Sequence, residues 1–336
     1  MSVLLTPHVY TSSDTLPATL METNYFHSQQ LFTLYAQTPR HKPYMVTLET
    51  PEGEVVAQLL AIVRYRSSWF PPYYYQHCRM LGEGVYAIDA TATDNSTAKE
   101  RTAQFGMMLK TLTAKLGPRM LYVEVSHLSQ KMFGYKEFRN NRYFPVRWMS
   151  IHNSLHSRTP EERISERMKQ RIDAAYQRGV VTDEVQSDAD FQEFIKLLRH
   201  HNWLKPKRYI PADEFFIKLW KQTDNARLFL TRYKGHVVGC SAVVYSQRQA
   251  YLWYAAYRRK SYVFVHPDVL TIWHAIKDCH RRGYEHIFFM DVGLPFRKNS
   301  FREFILRFGG KPVSTYRWFR CSIKWANSLL SWVYRE

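Results

Sequence analysis

Cysteine is scarce in this sequence. Cys78, Cys240, Cys279 and Cys321 stand alone, and no CxxC pair occurs. Isolated cysteines give neither a zinc knuckle nor a disulfide framework, so no metal site is expected and a reducing cytoplasm is the expected compartment. Long apolar runs are missing too: no stretch of about 18 uninterrupted apolar residues is present, which argues against a spanning helix. The first residues, Met1 to Asp14, carry no basic cluster and a very short apolar stretch, and so make a poor secretory signal. No motif for reading a DNA groove appears, and duplex DNA is not an expected partner. Acidic residues are the other deficit: 29 Asp and Glu face 47 Lys and Arg, a formal net charge of +18. That excess points to an anionic partner without saying which anion.

What is present belongs to a folded protein. Of 336 residues, 45% are hydrophobic and 15% aromatic, which excludes a mostly disordered chain. The length suits one large domain or two ordinary ones. The charge is uneven: residues 1–155 hold 15 basic and 11 acidic side chains, residues 156–336 hold 32 and 18. The second half therefore carries most of the expected field.

A helix start lies between the halves. Thr159 can cap, Pro160 suits the first helical position, and Glu162 closes a capping box. Ile164, Met168, Ile172 and Ala175 follow at helical spacing, and Gly179 provides a stop. The spacing predicts one amphipathic helix joining two domains. Before it, Tyr44 to Arg66 predicts two strands around Thr50-Pro51-Glu52-Gly53, and Thr97 opens a helix that stops at Gly117. After it, Arg227 to Tyr233 and His236 to Tyr245 predict a hairpin around Lys234-Gly235, followed by a strand to Tyr257. Pro267 starts a helix ending at Gly283, and Ser300 to Glu303 forms another capping box. The halves match in outline: Gly53-Glu54-Val55-Val56-Ala57 corresponds to Gly235-His236-Val237-Val238-Gly239, and Gly117 and Gly283 each close a helix before a strand. A drifted duplication accounts for this. Each half is then a mixed, mostly antiparallel sheet flanked by helices, an α+β fold.

The second half also resembles a known family. Arg171 to Val180, the hairpin at Lys234-Gly235, Phe289-Met290-Asp291-Val292-Gly293 and Phe304-Ile305-Leu306-Arg307-Phe308-Gly309-Gly310 are similar, in order and spacing, to segments of FemAB-like proteins. The resemblance implies two GNAT-like domains, at 1–155 and 181–320, joined by a helix at 156–180 and followed by an amphipathic tail at 321–336. It implies acyl or aminoacyl transfer to an amine, without a covalent enzyme intermediate, in cell-envelope, lipid or amino-acid metabolism. The donor would be an acyl-CoA, an acyl carrier or aminoacyl-tRNA, and tRNA a partner. Two departures stand out. The family lysine of the FKxxFG pattern is Ile305 here, which cannot stabilise an oxyanion. The segment Arg258 to Pro267 lacks the glycines with which GNAT enzymes cradle a pyrophosphate, so plain acetyl-CoA is not the expected donor.

Candidate site residues follow from these placements. Asp291, after a buried strand, can orient or deprotonate an amine, or instead cap its loop. His266 precedes Pro267 at a helix start and can act as a base or as a cap. Tyr257 closes the preceding strand and joins them as a catalytic candidate. Arg258, Arg259 and Lys260 form a cationic loop suited to phosphate, with Arg171 as a further substrate-binding residue. Lys298, Arg302 and Arg307 can supply the charge that Ile305 cannot. His200-His201 lacks zinc-ligand spacing. Trp69 to Tyr75 is an aromatic loop that either lines a groove or plugs it. Lys324 to Val333 is amphipathic and either docks on its own domain or touches a membrane surface. Two rival readings remain open: a non-catalytic binder of tRNA or an anionic envelope intermediate, and an acetyl-CoA-dependent N-acetyltransferase.

Overall fold

The structure, a computed structural model, describes residues 4–69, 72–87, 95–117, 120–202, 210–290, 292–295 and 297–335. It divides into two compact units, residues 1–148 with 314–336, and residues 149–313.

The first unit contains β1 (Thr6–Tyr10), α1 (Gln29–Ala36), β2 (His41–Glu49), β3 (Val55–Ser68), β4 (Tyr73–Leu81), β5 (Val85–Tyr86), α2 (Asn95–Lys115), β6 (Met120–Ser126) and α3 (Tyr135–Asn140). Strand β7 (Phe144–Ser154) then leads onward. The second unit holds α4 (Glu166–Gln177), β8 (Val180–Glu184), α5 (Asp188–Asn202), α6 (Asp213–Lys221), β9 (Ala226–Tyr233), β10 (His236–Ser246), β11 (Gln249–Tyr257), α7 (Pro267–Arg281), β12 (His286–Phe289) and α8 (Ser300–Leu306). Strand β13 (Lys311–Cys321) and α9 (Lys324–Val333) complete the chain.

Both units follow one plan. An antiparallel hairpin, β2–β3 or β9–β10, is extended by a third antiparallel strand, β4 or β11. A helix, α2 or α7, then crosses to a parallel strand, β6 or β12. A parallel neighbour requires such a crossover, because a tight turn can only reverse the chain. The second sheet runs from the Ile151–Ser154 end of β7 through β12, β11, β10 and β9 to β8. The α+β class and the duplicated organisation expected from the sequence are present.

Helical periodicity explains the two cores. Phe105, Met108, Leu109 and Leu112 of α2 recur at one face and pack with Val46, Leu48, Leu59 and Val63. In the second unit, α7 is seated by a close approach. A Cβ on Gly239 of β10 would lie 2.0 Å from Thr271 Oγ1. That hydroxyl donates to Pro267 O at 2.7 Å and lies 2.9 Å from Thr231 Oγ1. Glycine is therefore needed for α7 to rest on the sheet.

Several boundaries depart from expectation. Residues 156–180 do not form a joint: Ile164, Met168, Ile172 and Ala175 belong to the core of the second unit. The expected single helix is two pieces. The capping box opens only a 3-10 turn, Pro160–Arg163, and Ser165 then caps α4 by accepting from Met168 N–H at 3.3 Å. Ile164 is extended between them, which buries its side chain at the cost of helical continuity. The tail is no separate segment, since Trp318–Cys321 pairs with Val125–Tyr122 of β6. Asn299, rather than Ser300, caps α8 by accepting from Arg302 N–H at 3.1 Å. Tyr73–Tyr75 opens β4 instead of lying in a loop, while Phe70 and Pro71 fall outside the described residues.

Candidate active site

The β11–β12 pairing of the second sheet is short. Among the described residues, parallel β11 and β12 pair from Gln249↔His286 to Leu252↔Phe289. Immediately beyond, the β10–β11 register shifts: Ala242 faces Tyr254 and Val243 faces Leu252, so Trp253 is an extra residue. A bulge bends its strand and raises the local twist. Strand β11 itself continues to Tyr257. The carboxyl ends of parallel strands, next to the following helix N-terminus, are a favoured place for ligands in α/β crossovers.

The chain beyond β11 helps line a pocket of about 230 Å³. Its walls come from α4 (Met168, Arg171), the loop before α7 (Arg259, Val263), the α7 start (His266, Asp268, Val269) and α8 (Ser300, Glu303, Phe304, Arg307). Three guanidinium groups thus face two carboxylates. Arg259 Nε lies 3.4 Å from Asp268 Oδ2; the carboxylate is buried and the arginine largely exposed. Its charge is partly committed to that acid.

His266 is the residue with unusual geometry. It is the N-cap of α7 with φ 44° and ψ 55°, the left-handed region. Its carbonyl accepts from Val269 N–H at 3.0 Å and Leu270 N–H at 3.1 Å. Pro267 has no N–H to offer. Asp268 N–H is then the first-turn donor left outside the helix's own ladder. Burial, reinforced by Arg171, Arg178 and Arg259 and opposed by Asp268, lowers the His266 pKa below its ordinary value. That shift favours the neutral imidazole, the form able to accept a proton.

Residues 163–298 match the family model of the acetyltransferase (GNAT) domain. The whole chain superposes on FemX with a TM-score of 0.62 at 8% identity, covering 97% of this chain and 100% of that one. It is also similar to the structure of L-PGS from Bacillus licheniformis, with a TM-score of 0.58, 10% identity, and 91% and 92% of the two chains covered. A tandem GNAT protein from the clavulanic acid biosynthesis pathway gives a TM-score of 0.51 at 10% identity over 88% of both chains. The chain has the tandem GNAT fold of these structures. No curated protein matches the sequence.

The FemAB-like motifs take on physical meaning in this fold. Ile305, at the family lysine position, is fully buried in the second core. Its neighbours Ser300, Glu303, Phe304 and Arg307, spaced at i, i+3, i+4 and i+7, form the pocket-facing side of α8. The glycine pair is a packing device. A Cβ on Gly309 would lie 2.6 Å from Arg163 Cβ, and one on Gly310 2.7 Å from Ile151 Cγ2. Asn153 Nδ2 donates to Phe308 O at 2.8 Å, tying the end of α8 to β7.

Of the residues singled out by sequence, His266, Arg171, Arg259 and Arg307 converge on the pocket. Arg302 does not supply its charge: Nη1 donates to Leu294 O at 2.6 Å and Nη2 to Arg297 O at 2.8 Å, clamping the preceding loop. Lys260 and Lys298 are exposed and outside the lining. Arg258 is half-buried, its N–H bonded to Val238 O at 2.8 Å, and it too lies outside the lining. Tyr257 is one layer back: its ring centroid is 6.4 Å from that of Phe304 and 5.0 Å from that of His201. His201 Nδ1 lies 2.9 Å from Tyr257 O, so this histidine belongs to the wall of β11. Asp291 lies outside the described residues. Among the described residues no cluster of three His, Cys, Asp or Glu could hold a metal ion. Asp268 and Glu303 were not anticipated. The helical period from Ser300 would have found Glu303, and position two of a helix starting at Pro267 would have found Asp268.

Proposed function

We propose that this chain transfers an acyl or aminoacyl group from an activated, phosphate-bearing donor to an amine. The observation that supports it is the arginine-lined pocket around His266, whose Phe304 lies beside the Tyr257 end of β11. The donor carbonyl enters this pocket, and Arg171 and Arg307 hold its anionic portion. The amine nitrogen attacks the carbonyl carbon, and neutral His266 accepts the proton the nitrogen must lose. The tetrahedral oxyanion then collapses, the amide forms, and the bond to the donor oxygen or sulfur breaks. His266 returns its proton to the departing group. Rate enhancement rests on holding amine and carbonyl together and on polar groups aimed at the oxyanion.

An aminoacyl-tRNA or acyl carrier suits this site better than acetyl-CoA. In the first turn of α7 only Asp268 N–H is left outside the helix's ladder, and the buried Asp268 carboxylate at the helix start opposes a pyrophosphate there. In the same reading the acceptor is an envelope, lipid or amino-acid amine, met in the cytoplasm. A thermal-shift panel with acetyl-CoA, charged and uncharged tRNA, and nucleotide-linked sugars tests the donor. Stabilisation by charged tRNA, followed by transfer of labelled amino acid to an amine, is the expected result. Stabilisation by acetyl-CoA alone would replace this donor assignment. Salt-sensitive tRNA binding without any transfer would favour a non-catalytic binder.

A further inference from the structure

The last helix is turned the wrong way round for a helix that stabilises its own domain. Trp325, Leu329, Trp332 and Val333 of α9 are 72%, 52%, 70% and 57% exposed. At about 100° per residue these four fall within an arc of about 100°. The opposite face does the docking. Asn327 Oδ1 accepts from Cys321 N–H at 2.8 Å, and its Nδ2 donates to Arg142 O at 3.0 Å. Ser331 Oγ accepts from Arg139 Nη1 at 3.2 Å, and Tyr334 stacks on Phe144 at 5.9 Å and 10°. A helix buried for stability places its apolar stripe inward. Here polar side chains anchor the helix, and two tryptophans and a leucine are held outward on a fixed platform. A contiguous apolar face of this kind marks a contact surface.

We propose that α9 is a membrane-surface helix that lies in the headgroup region of an anionic bilayer. Charge selects that occupant. From Ser314 to Arg335 the sequence has no acidic residue; Arg317 is buried against Glu124, which leaves Arg320, Lys324 and Arg335 as the cations of this segment. Lys324 and Arg335 flank the exposed stripe at its two ends, and both are exposed. Tryptophan is the side chain best suited to the water–lipid boundary, and cations beside it add attraction to anionic headgroups. A second copy of this helix fits less well, since an isologous contact would bring like charges together. Ten residues span about 15 Å, half the hydrocarbon thickness, so α9 lies on the membrane and does not cross it.

Flotation of the full chain with vesicles of equal parts phosphatidylglycerol and phosphatidylcholine, against vesicles of phosphatidylcholine alone, tests this. Binding to the anionic vesicles is expected, with a blue shift in tryptophan emission and weakening as salt is raised. The W325S/W332S double variant should lose roughly tenfold or more of that binding. Both side chains are exposed, so the fold is kept, and an unchanged melting temperature checks this. No flotation, or flotation unaffected by the double substitution, overturns the proposal. A concentration-dependent dimer abolished by the same variant, without vesicle binding, assigns the face to a second copy instead. Equal binding to both vesicle types overturns the role given to charge.

Discussion

His266 allows stability and function to be separated at one position. Its φ of 44° costs a residue with a Cβ about 1–2 kcal/mol, with histidine nearer the lower figure. Replacement by alanine removes the imidazole and keeps the strained backbone. Replacement by glycine removes both, at an entropic cost of about 0.5–1 kcal/mol. The His266→Gly variant should therefore be more stable than His266→Ala by up to about 1 kcal/mol, which for a unit of this size is about 2–4 °C in Tm. If the imidazole accepts the proton of the attacking amine, both variants should lose about 100-fold or more in turnover. Thermal unfolding of the three proteins and single-turnover transfer with the donor identified by binding form the assay. The pH dependence adds a signed check. Folding lowers the His266 pKa, so the unfolded chain takes a proton more readily. Stability is fully present above the unfolded pKa and falls as the pH drops below it, and both variants should lack that loss. Equal stability of the glycine and alanine variants would show that no strain is held at this residue. Retained turnover in either would remove His266 from the chemistry.

Arg302 and Arg307 should behave differently although they are one and a half turns apart. Arg302→Ala loses two charge-assisted bonds to Leu294 and Arg297 carbonyls and should cost about 2–3 kcal/mol in denaturant unfolding, whereas Arg307→Ala should leave stability unchanged and weaken binding of a phosphorylated donor by calorimetry. Gly239→Ala should destabilise by at least about 2 kcal/mol, because Thr271 Oγ1 at 2.0 Å is held by Pro267 O and cannot yield; a neutral effect on chemical denaturation would refute the close approach of α7. The first unit should be acid-labile: burial lowers His27 and His77 to about 3 from an ordinary 6.5, His77 also through Arg64, Arg66 and Arg79. Each then withdraws about 1.4 kcal/mol per pH unit below 6.5, or about 3 kcal/mol by pH 4.5, and a melting temperature flat from pH 7 to 4.5 would contradict this.

Local rules were legible in the sequence wherever contacts are local. The hairpin turns at Gly53 and Gly235, the proline start of α7 and the glycine stops at 117 and 283 all correspond to elements that need little from elsewhere. Non-local pairing was not legible. Nothing near Arg317 announces that it will donate to Glu124 at 2.8 Å, 193 positions away, yet such contacts return residues 314–336 to the first unit. The helix break at Ile164 was hidden by a capping box that is real but closes only a 3-10 turn. In the pocket, Arg171, Arg259 and Arg307 follow from the basic excess of the sequence, whereas Asp268 and Glu303 carry the sign that a net charge conceals. The polar anchoring of α9 was equally hidden. Its apolar stripe is plain in the sequence, but which face meets the domain depends on Arg139, Arg142 and Phe144, distant in the chain.

The redrawn boundaries change what the charge means. With 314–336 assigned to the first unit, that unit holds 19 basic and 12 acidic residues, a net +7, and residues 149–313 hold 28 and 17, a net +11. The contrast of +4 against +14 between sequence halves was largely made by the tail, whose four cations belong elsewhere. Within the pocket the balance is three guanidinium groups against two carboxylates, one of them already facing Arg259. A site built to hold a bare diphosphate by charge would not carry a buried aspartate at the helix start. In the function proposed above, the positive field acts over the surface, raising the encounter rate of a large polyanionic donor, while the pocket discriminates by shape and by a few directed bonds. A large polyanion donor should accordingly associate more slowly as salt is raised, while the transfer step, once the donor is bound, should hardly change.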